Sequence, residues 1–303
     1  HDLLFPGADH RTTFADPEKS KTGLKGLVKL FASDTMTPLP LVSIIIPVYN
    51  AGTYLEECLH SVLAQSWNHL DIIVINDGST DDSEKIINSF QDSRIRYFSI
   101  PNQGQCKASN YGLAQAKGNY IKFFDADDLM NDTHIESMIK VLDGKEDAMA
   151  SCAWARFYDD DVTNAQLIKE PNWQNAKPLD WIKMTMSGRY DMMPGWLWLI
   201  PKKIIDRVGG WDDRLSLNND FEFSIRLLSQ SSSVLFCPDA KIYYRSGNSS
   251  TLSAINSEPA YRAAILSARL GCTQLLSKDN SASIQLLCAN KYSYWLYRVY
   301  PYY

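Results

Sequence analysis

The strongest chemical feature of this sequence is a group of aspartates directly after an apolar segment. Residues 119–124 are mostly aromatic or apolar, and the chain continues with Asp125, Ala126, Asp127 and Asp128. Such a segment predicts a buried strand, and open α/β sheets bind ligands at the carboxyl ends of their strands. Clustered carboxylates suit Mg²⁺ or Mn²⁺, which usually complete their coordination with substrate phosphates. The pattern therefore predicts a metal-bound diphosphate at this strand end.

The same aspartates also have a purely structural interpretation. Asp127 and Asp128 would then only turn the chain and cap a helix that begins near Thr133, since aspartate is favoured in turns and at helix N-termini. A cap needs one carboxylate, whereas three follow this strand. We therefore favour the metal site.

Strand and helix patterns alternate through the first half of the chain. Four apolar runs predict strands, at 41–47, 71–75, 95–100 and 119–124. Three segments with helical spacing of apolar residues lie between them, at 54–63, 82–90 and 104–116. This alternation predicts a mostly parallel sheet with right-handed crossovers. The expected fold class is α/β, with a Rossmann-like sheet flanked by helices.

The second half alternates less regularly. Strands are predicted at 149–158 and 196–200 and as two short strands within 234–244, with a polar loop at 159–175. Helices are predicted at 202–208, with Pro201 in the first turn, at 220–229, and as a C-terminal pair at 260–276 and 282–297.

Three polar loops follow strands of the predicted sheet, at 47–50, 76–79 and 125–128. In a parallel sheet these loops converge on one edge. Asp77 can accept a hydrogen bond from a base or a ribose, Tyr49 offers a ring face to a base, and the helix N-termini favour a phosphate. The alternative for 77–79 is a simple turn with a helix cap.

Together, the motifs resemble the nucleotide-sugar domain of family 2 glycosyltransferases, which have the GT-A fold. The segments that carry the resemblance follow in the family's order, at 42–50, 76–81, 102–112 and 116–128. The likeness extends over about 41–250 and is most specific in its first half. It implies inverting, metal-dependent transfer of a sugar from a nucleoside diphosphate sugar, with Mn²⁺ or Mg²⁺ as cofactor.

The resemblance also implies roles for individual residues. Asp77 would hold the base, Asp125 would contact the ribose or the metal, and Asp127 would bind the metal that bridges both phosphates. The remaining positions expected to contact the nucleotide sugar are Pro47, Tyr49, Asn50, Asn110 and Ala126.

Two positions depart from the family's usual pattern. Many relatives have arginine before the asparagine of the third motif, where this chain has Ser109, so we expect Lys107 to supply the cation. Many also have a histidine near the end of the catalytic domain, but no histidine follows His134 in this chain. We therefore expect Arg245 to contact the diphosphate, and carboxylates to be the only protein ligands of the metal.

Asp220 is the best candidate for the base that deprotonates the acceptor. It precedes an apolar helical face, and an N-cap is the alternative role for it. The family commonly carries a Glu-Asp pair here, and the resemblance makes the second member the base. This chain has Asn219 as the first member, and we place Asn219 and Trp211 on the acceptor side. Trp196 and Trp198 lie in the same region, where core packing is expected for at least two of the three tryptophans.

Composition restricts partners and location. The chain has 303 residues, with 30 basic and 35 acidic side chains, and this balance argues against nucleic-acid binding. The six cysteines are scattered without metal-ligand spacing, as expected for reduced thiols in the cytoplasm. Residues 22–31 have an amphipathic pattern with lysines, for which peripheral membrane contact at the inner face of the cell membrane is an alternative to simple packing.

We divide the chain into a leader or linker at 1–40, a GT-A domain at 41–250 and a C-terminal helical extension at 251–303. The domain comprises a nucleotide-sugar half at 41–128 and an acceptor half at 129–250. We expect the end of the extension, residues 292–303, to dock on the domain; subunit pairing and membrane contact are the alternatives.

The leading hypothesis is a glycosyltransferase of cell-surface polysaccharide synthesis, with a UDP-sugar as the favoured donor and a glycan or lipid-linked hydroxyl as acceptor. A metal-dependent hydrolase of nucleotide sugars or a nucleotidyltransferase would instead turn over the donor without a sugar acceptor. A third hypothesis is a nucleotide-sugar binding module that has lost catalysis, which Asn219 and the missing histidine suggest.

Overall fold

A computed structural model describes residues 38–158, 160–188, 191–247 and 257–300. The described residues from Pro40 onward belong to one compact unit. The amphipathic pattern at 22–31 and the last three residues of the predicted docking segment lie outside the described residues.

The first half of the chain forms the expected parallel sheet. Its strands are β1 (Val42–Val48), β2 (Leu70–Asp77), β3 (Ile95–Ile100) and β4 (Tyr120–Phe123). They lie in the order β3-β2-β1-β4, and each neighbouring pair is parallel. The residues of β1, β2 and β4 are almost all buried, which explains the continuous apolar runs in these strands. Because the strands are parallel, the loops after β1, β2 and β4 meet at one edge of the sheet.

Beyond β4 the sheet continues with mixed directions, through β8 (Trp198–Pro201), β6 (Ala148–Phe157), β9 (Ser233–Arg245) and β5 (Leu129–Met130). The strand β8 is antiparallel to β4 and β6, whereas β6 and β9 are parallel. The prediction of two short strands within 234–244 is wrong, because a register shift after Cys152 of β6 lets β9 continue as one strand. The short strand β7 (Gln166–Leu167) pairs with β6 within the predicted polar loop.

Nine α-helices lie within the described residues. They are α1 (Leu55–Leu63), α2 (Ser83–Ser89), α3 (Gln105–Gln115), α4 (His134–Leu142), α5 (Pro178–Met186), α6 (Lys202–Val208), α7 (Asn219–Ser229), α8 (Glu258–Lys278) and α9 (Ala282–Val299). Helix α5 lies in a segment for which no helix is predicted, and Pro201 lies just before α6 instead of inside its first turn.

The C-terminal helices pack against the helix that carries Asp220. Gly271 of α8 lies so close to the Phe221 ring that a Cβ atom there would be 2.5 Å from it. A small second apolar cluster forms between α8, α9 and Leu217. No helix within the described part of the chain has both the length and the apolar character needed to cross a bilayer.

Candidate active site

The loops after β1 and β2 hold each other in place. Asn50, at φ +50°, accepts from the Thr80 backbone N–H at 2.8 Å through Oδ1, and its own N–H donates to Ser79 Oγ at 3.0 Å. Ser79 N–H in turn donates to Asn76 Oδ1 at 2.8 Å. Asparagine suits this position because it adopts left-handed backbone conformations more readily than most side chains. The predicted contact residue Asn50 thus positions the loop.

Asp77 lies at the end of β2 and is 2% exposed. Its two carboxylate oxygens accept from the backbone N–H groups of Gln103 and Gly104, both at 2.8 Å. Gly104 has φ +93°, a conformation that other residues rarely adopt, and it directly precedes α3. Asp77 therefore fixes the start of α3, and its contact with a base stays a prediction.

The aspartates after β4 differ in their surroundings. Asp125 and Asp127 are half-buried, and Asp125 Oδ1 accepts from Gln105 Nε2 at 3.0 Å. Asp128 is fully buried and points inward, where its Oδ1 accepts from the Arg245 backbone N–H at 2.9 Å. Its Oδ2 is buried without a hydrogen-bond partner among the described residues. Two of the three carboxylates are thus partly accessible at the sheet edge where the loops after β1, β2 and β4 meet, which we call the rim.

Burial and mutual repulsion shift the acidity of this group. Burial, followed by the nearby Asp127 and Asp220, raises the pKa of Asp125 well above its usual range. Burial also raises the pKa of Asp127, and burial with the two neighbouring aspartates raises the pKa of Asp128. Crowded carboxylates of this kind gain stability from a bound cation.

Arg245 supports the turn at residues 125–128 from the protein interior. Its Nε donates to the Asp127 carbonyl at 2.9 Å, while its terminal nitrogens pair with Glu57 at 2.8 Å and Asp160 at 2.6 Å. The side chain is 1% exposed, and the guanidinium lies over the Tyr54 ring, 4.4 Å from its centroid. As arranged here, Arg245 acts on the rim through the Asp127 backbone, so the expected direct contact with a diphosphate stays a prediction.

Asp220 lies in the first turn of α7, facing the same site. Its Oδ1 accepts from the Gly195 N–H at 2.8 Å. Burial raises the pKa of Asp220 to about 6, although the Gly195 bond opposes this shift. The N-cap position of α7 is Asn218, at φ +58°, so Asp220 does not occupy the cap. A carboxylate with this acidity suits a general base near neutral pH.

One side chain bridges the two halves of the site. Gln105, at the start of α3, donates to Asp125 through Nε2 and accepts from Asn219 Nδ2 at 3.2 Å through Oε1. Asn219 also donates to Cys106 Sγ at 3.3 Å. Gln105 is not among the residues predicted for the site, although its place directly after Gly104, which precedes α3, could have indicated it.

Trp211 and Asn110 form a second link between the halves. Asn110 Oδ1 accepts from the Trp211 N–H at 2.8 Å, and its Nδ2 donates to the Trp211 carbonyl at 2.9 Å and to Asp213 at 2.6 Å. The Trp211 ring is 8% exposed and stacks on Phe223 at 4.0 Å. Asn110 thus holds the Trp211 loop, and its expected contact with the nucleotide sugar stays a prediction.

The remaining candidates occupy different depths. Tyr49 is 54% exposed at the rim, and Lys107 is exposed within α3. Pro47 is half-buried at the end of β1, and Ala126 is buried between the rim aspartates. Tyr49 therefore has a ring face available for a base.

The donor set fits a divalent cation that is shared with a ligand. No three histidine, cysteine, aspartate or glutamate side chains of the described residues are grouped to hold a metal by themselves. Mg²⁺ is commonly bound by one or two carboxylates together with phosphates and water. Asp125 and Asp127 would hold such an ion, and Asp128 lies buried behind them, with no partner for its Oδ2 among the described residues.

The family model described as Glycosyl transferase family 2 matches residues 43–209, which is more than half of the chain. This chain belongs to glycosyl transferase family 2. Among similar members, the uncharacterized glycosyltransferase RT0329 of Rickettsia typhi is 33% identical over 227 residues, covering 74% of this chain and 70% of that protein. The uncharacterized glycosyltransferase EpsJ of Bacillus subtilis is 28% identical over 227 residues, covering 73% and 65%.

Solved structures give the same fold for this family 2 chain. The S. aureus TarS 1-349 structure in complex with UDP-GlcNAc has a TM-score of 0.65 at 17% identity, covering 84% of this chain and 80% of that one. The complex of TarS 1-349 with UDP has a TM-score of 0.62 at 18% identity, covering 86% and 72%. At this identity the likeness concerns the fold alone, and it confirms the expected GT-A fold.

Proposed function

We propose that this family 2 glycosyltransferase transfers a sugar from a UDP-sugar to a hydroxyl of a glycan or lipid-linked acceptor, with inversion and with Mn²⁺ or Mg²⁺. The observation that carries the proposal is the hydrogen-bonded bridge from Asp125 through Gln105 to Asn219, next to Asp220. It joins Asp125, which would bind the cation, to the segment that carries Asp220, whose pKa is about 6.

In this mechanism the acceptor hydroxyl lies near Asp220. The Asp220 carboxylate takes its proton as the oxygen attacks the anomeric carbon, and the bond from that carbon to the diphosphate breaks. Direct attack from the face opposite the leaving group inverts the anomeric configuration. A bound divalent cation would stabilise the charge that develops on the diphosphate.

The proposed donor is supported by the likeness to TarS, two structures of which are complexes with UDP and with UDP-GlcNAc. The exposed ring of Tyr49 would stack on the uracil. We further propose a role in cell-surface polysaccharide synthesis, in the cytoplasm and peripherally at the inner face of the cell membrane. The six free, buried cysteines are in keeping with that compartment.

The test is calorimetric binding of UDP, GDP, TDP and CDP, each with and without Mn²⁺, to the wild type and to Asp127→Ala. We expect UDP to bind with Mn²⁺ and the variant to lose on the order of 100-fold in affinity, since even indirect changes around metal ligands cost about 10–100-fold. Asp206→Asn, at an exposed ion pair on α6, is the control. Absence of binding by every nucleotide would overturn the donor site.

Transfer is then measured by release of UDP from UDP-sugars, with and without oligosaccharide or lipid-linked acceptors. Release that depends on the acceptor supports transfer. Release without an acceptor would indicate a hydrolase, and binding without any release would indicate a binding module.

A further inference from the structure

A lysine lies where a parallel sheet normally has an apolar residue. Lys122 is in β4, three residues before Asp125, and is fully buried. Lysine is almost never fully buried unless it has a partner, because transfer of an ammonium group out of water is costly. Burial lowers the pKa of Lys122 to about 8, which reflects this cost.

The partner of Lys122 is a backbone carbonyl outside the sheet. Its Nζ donates to the Trp196 carbonyl at 2.5 Å. Pairing of β4 with β8 ends after Ile121, and the chain before β8 forms a short 3₁₀ turn at Gly195–Leu197. A buried carbonyl in such a turn needs a donor, and Lys122 supplies one.

The same turn donates to the candidate base. Gly195 N–H is the hydrogen bond donor to Asp220 Oδ1. A Cβ atom on Gly195 would lie 2.8 Å from the Trp211 ring, so the backbone of the turn packs directly against that ring. On the other side, Ser224 Oγ donates to the Met193 carbonyl at 2.7 Å. The turn is therefore held between β4, the Trp211 ring and α7.

We propose that Lys122 is a positioning residue for Asp220, which holds the 195–197 turn so that the Gly195 N–H points at the Asp220 carboxylate. The role rests on the proposed function, because it presupposes that Asp220 acts as the base. One strand would then serve both parts of the reaction, with Asp125 at its end for the donor and Lys122 within it for the base.

Loss of this support should change the ionisation of Asp220. The Gly195 bond favours the charged carboxylate, so its loss raises the pKa of Asp220. The other titratable groups near Asp220 are Asp125 at the end of β4 and Cys106 on α3, and Lys122 replacement leaves both in place.

The test compares Lys122→Met with the wild type and with Leu142→Ala. Leu142 is fully buried in α4 and precedes Ala148, where β6 begins at the sheet edge opposite Asp125. The control therefore weakens the core away from the turn. Three quantities are measured: UDP affinity by calorimetry, the pH profile of kcat, and hydrogen exchange of backbone amides in residues 191–198.

For Lys122→Met we expect UDP affinity within about twofold of the wild type and a kcat lower by about 10–100-fold, as for loss of other supporting contacts. The acidic limb of the kcat profile should move up by about one pH unit. Exchange should accelerate in 191–198. Leu142→Ala should leave both the acidic limb of the kcat profile and the hydrogen exchange of residues 191–198 as in the wild type.

An unchanged limb and unchanged exchange in a folded Lys122→Met protein would overturn the role. If that variant does not fold, Lys122→Gln replaces it, because glutamine has an N–H donor on a shorter side chain. The acidic limb of the kcat profile should then move in the same direction by less. An unchanged limb overturns the role. Absence of transfer by the wild type would overturn the proposed function and this role together. Wild-type transfer together with an unchanged acidic limb in the Lys122 variant overturns the role alone.

Discussion

The two halves of the site are held in place by different kinds of contact. In the nucleotide-sugar half, Asn50, Asn76 and Asp77 bond to backbone groups of the loops at the same sheet edge, and each bond stays within 30 residues along the chain. In the acceptor half, Asp220 depends on Gly195, and Gly195 lies in a turn held by Lys122, 74 residues before Trp196. The loops after β1 and β2 are thus nearly self-contained, whereas Asp220 is oriented by segments that are distant in the chain.

This difference implies that the halves can be damaged separately. Changes in the donor loops should weaken nucleotide binding, whereas changes around α7 should lower the transfer rate with nucleotide affinity preserved. The predictions below test that separation, from the largest expected effect to the smallest.

Replacement of Asp220, the proposed base, should give the largest effect. Asp220→Asn keeps an oxygen that can accept from the Gly195 N–H but cannot take the acceptor proton. We expect the transfer rate to fall by about 10²–10⁴-fold, with UDP affinity unchanged. Steady-state kinetics and calorimetry on the same samples measure both, with Asp206→Asn as control. A full transfer rate in Asp220→Asn would show that another group is the base.

The pH dependence of the wild type should report the same group. Because the base acts as a carboxylate and the pKa of Asp220 is about 6, kcat should be level above pH 6 and fall about tenfold per pH unit below it. UDP affinity is measured at each pH, because protonation of Asp125 and Asp127 should weaken UDP binding, whereas protonation of Asp220 should lower kcat alone. A level kcat down to pH 5 under saturating donor would contradict this assignment.

Asn110 tests the separation of the two halves most directly, because it belongs to the nucleotide-sugar half by sequence but bonds to the acceptor half. Asn110→Ala leaves the Trp211 N–H and carbonyl without their partner. We expect a loss of about 1–3 kcal/mol in unfolding free energy and about tenfold in kcat, with UDP affinity unchanged. Denaturant unfolding and kinetics measure these, with Gln115→Ala on the same helix as control. A loss of UDP affinity alone would instead support the direct nucleotide contact.

The smallest effect is expected in the donor loops. Asn50→Gly removes the acceptor of the Thr80 N–H but tolerates the positive φ, so UDP affinity should fall by about fivefold, or about 1 kcal/mol. Asn50→Asp keeps both features and is the matched control. Calorimetry that finds equal affinity in Asn50→Gly and the wild type would remove the supporting role of this bond.

Much of the donor half could be predicted from the sequence alone. The runs that form β1 to β4 are apolar because both faces of a parallel sheet are covered, and the loops that follow them must meet at one edge. Asp125 and Asp127 lie where that reasoning places them. The motif order also identified the family correctly.

Tertiary structure alone decided how the side chains are used. Arg245 is directed under the rim because Glu57 and Asp160, far apart in the chain, both pair with it. Asp77 and Asn110 bond to backbone groups that only the folded loops bring near them. Local sequence fixes the burial and the period of an element, but the partner of a polar side chain is set by which distant segment packs beside it. For the same reason Lys122 could be recognised as a support for Asp220 only in the folded chain.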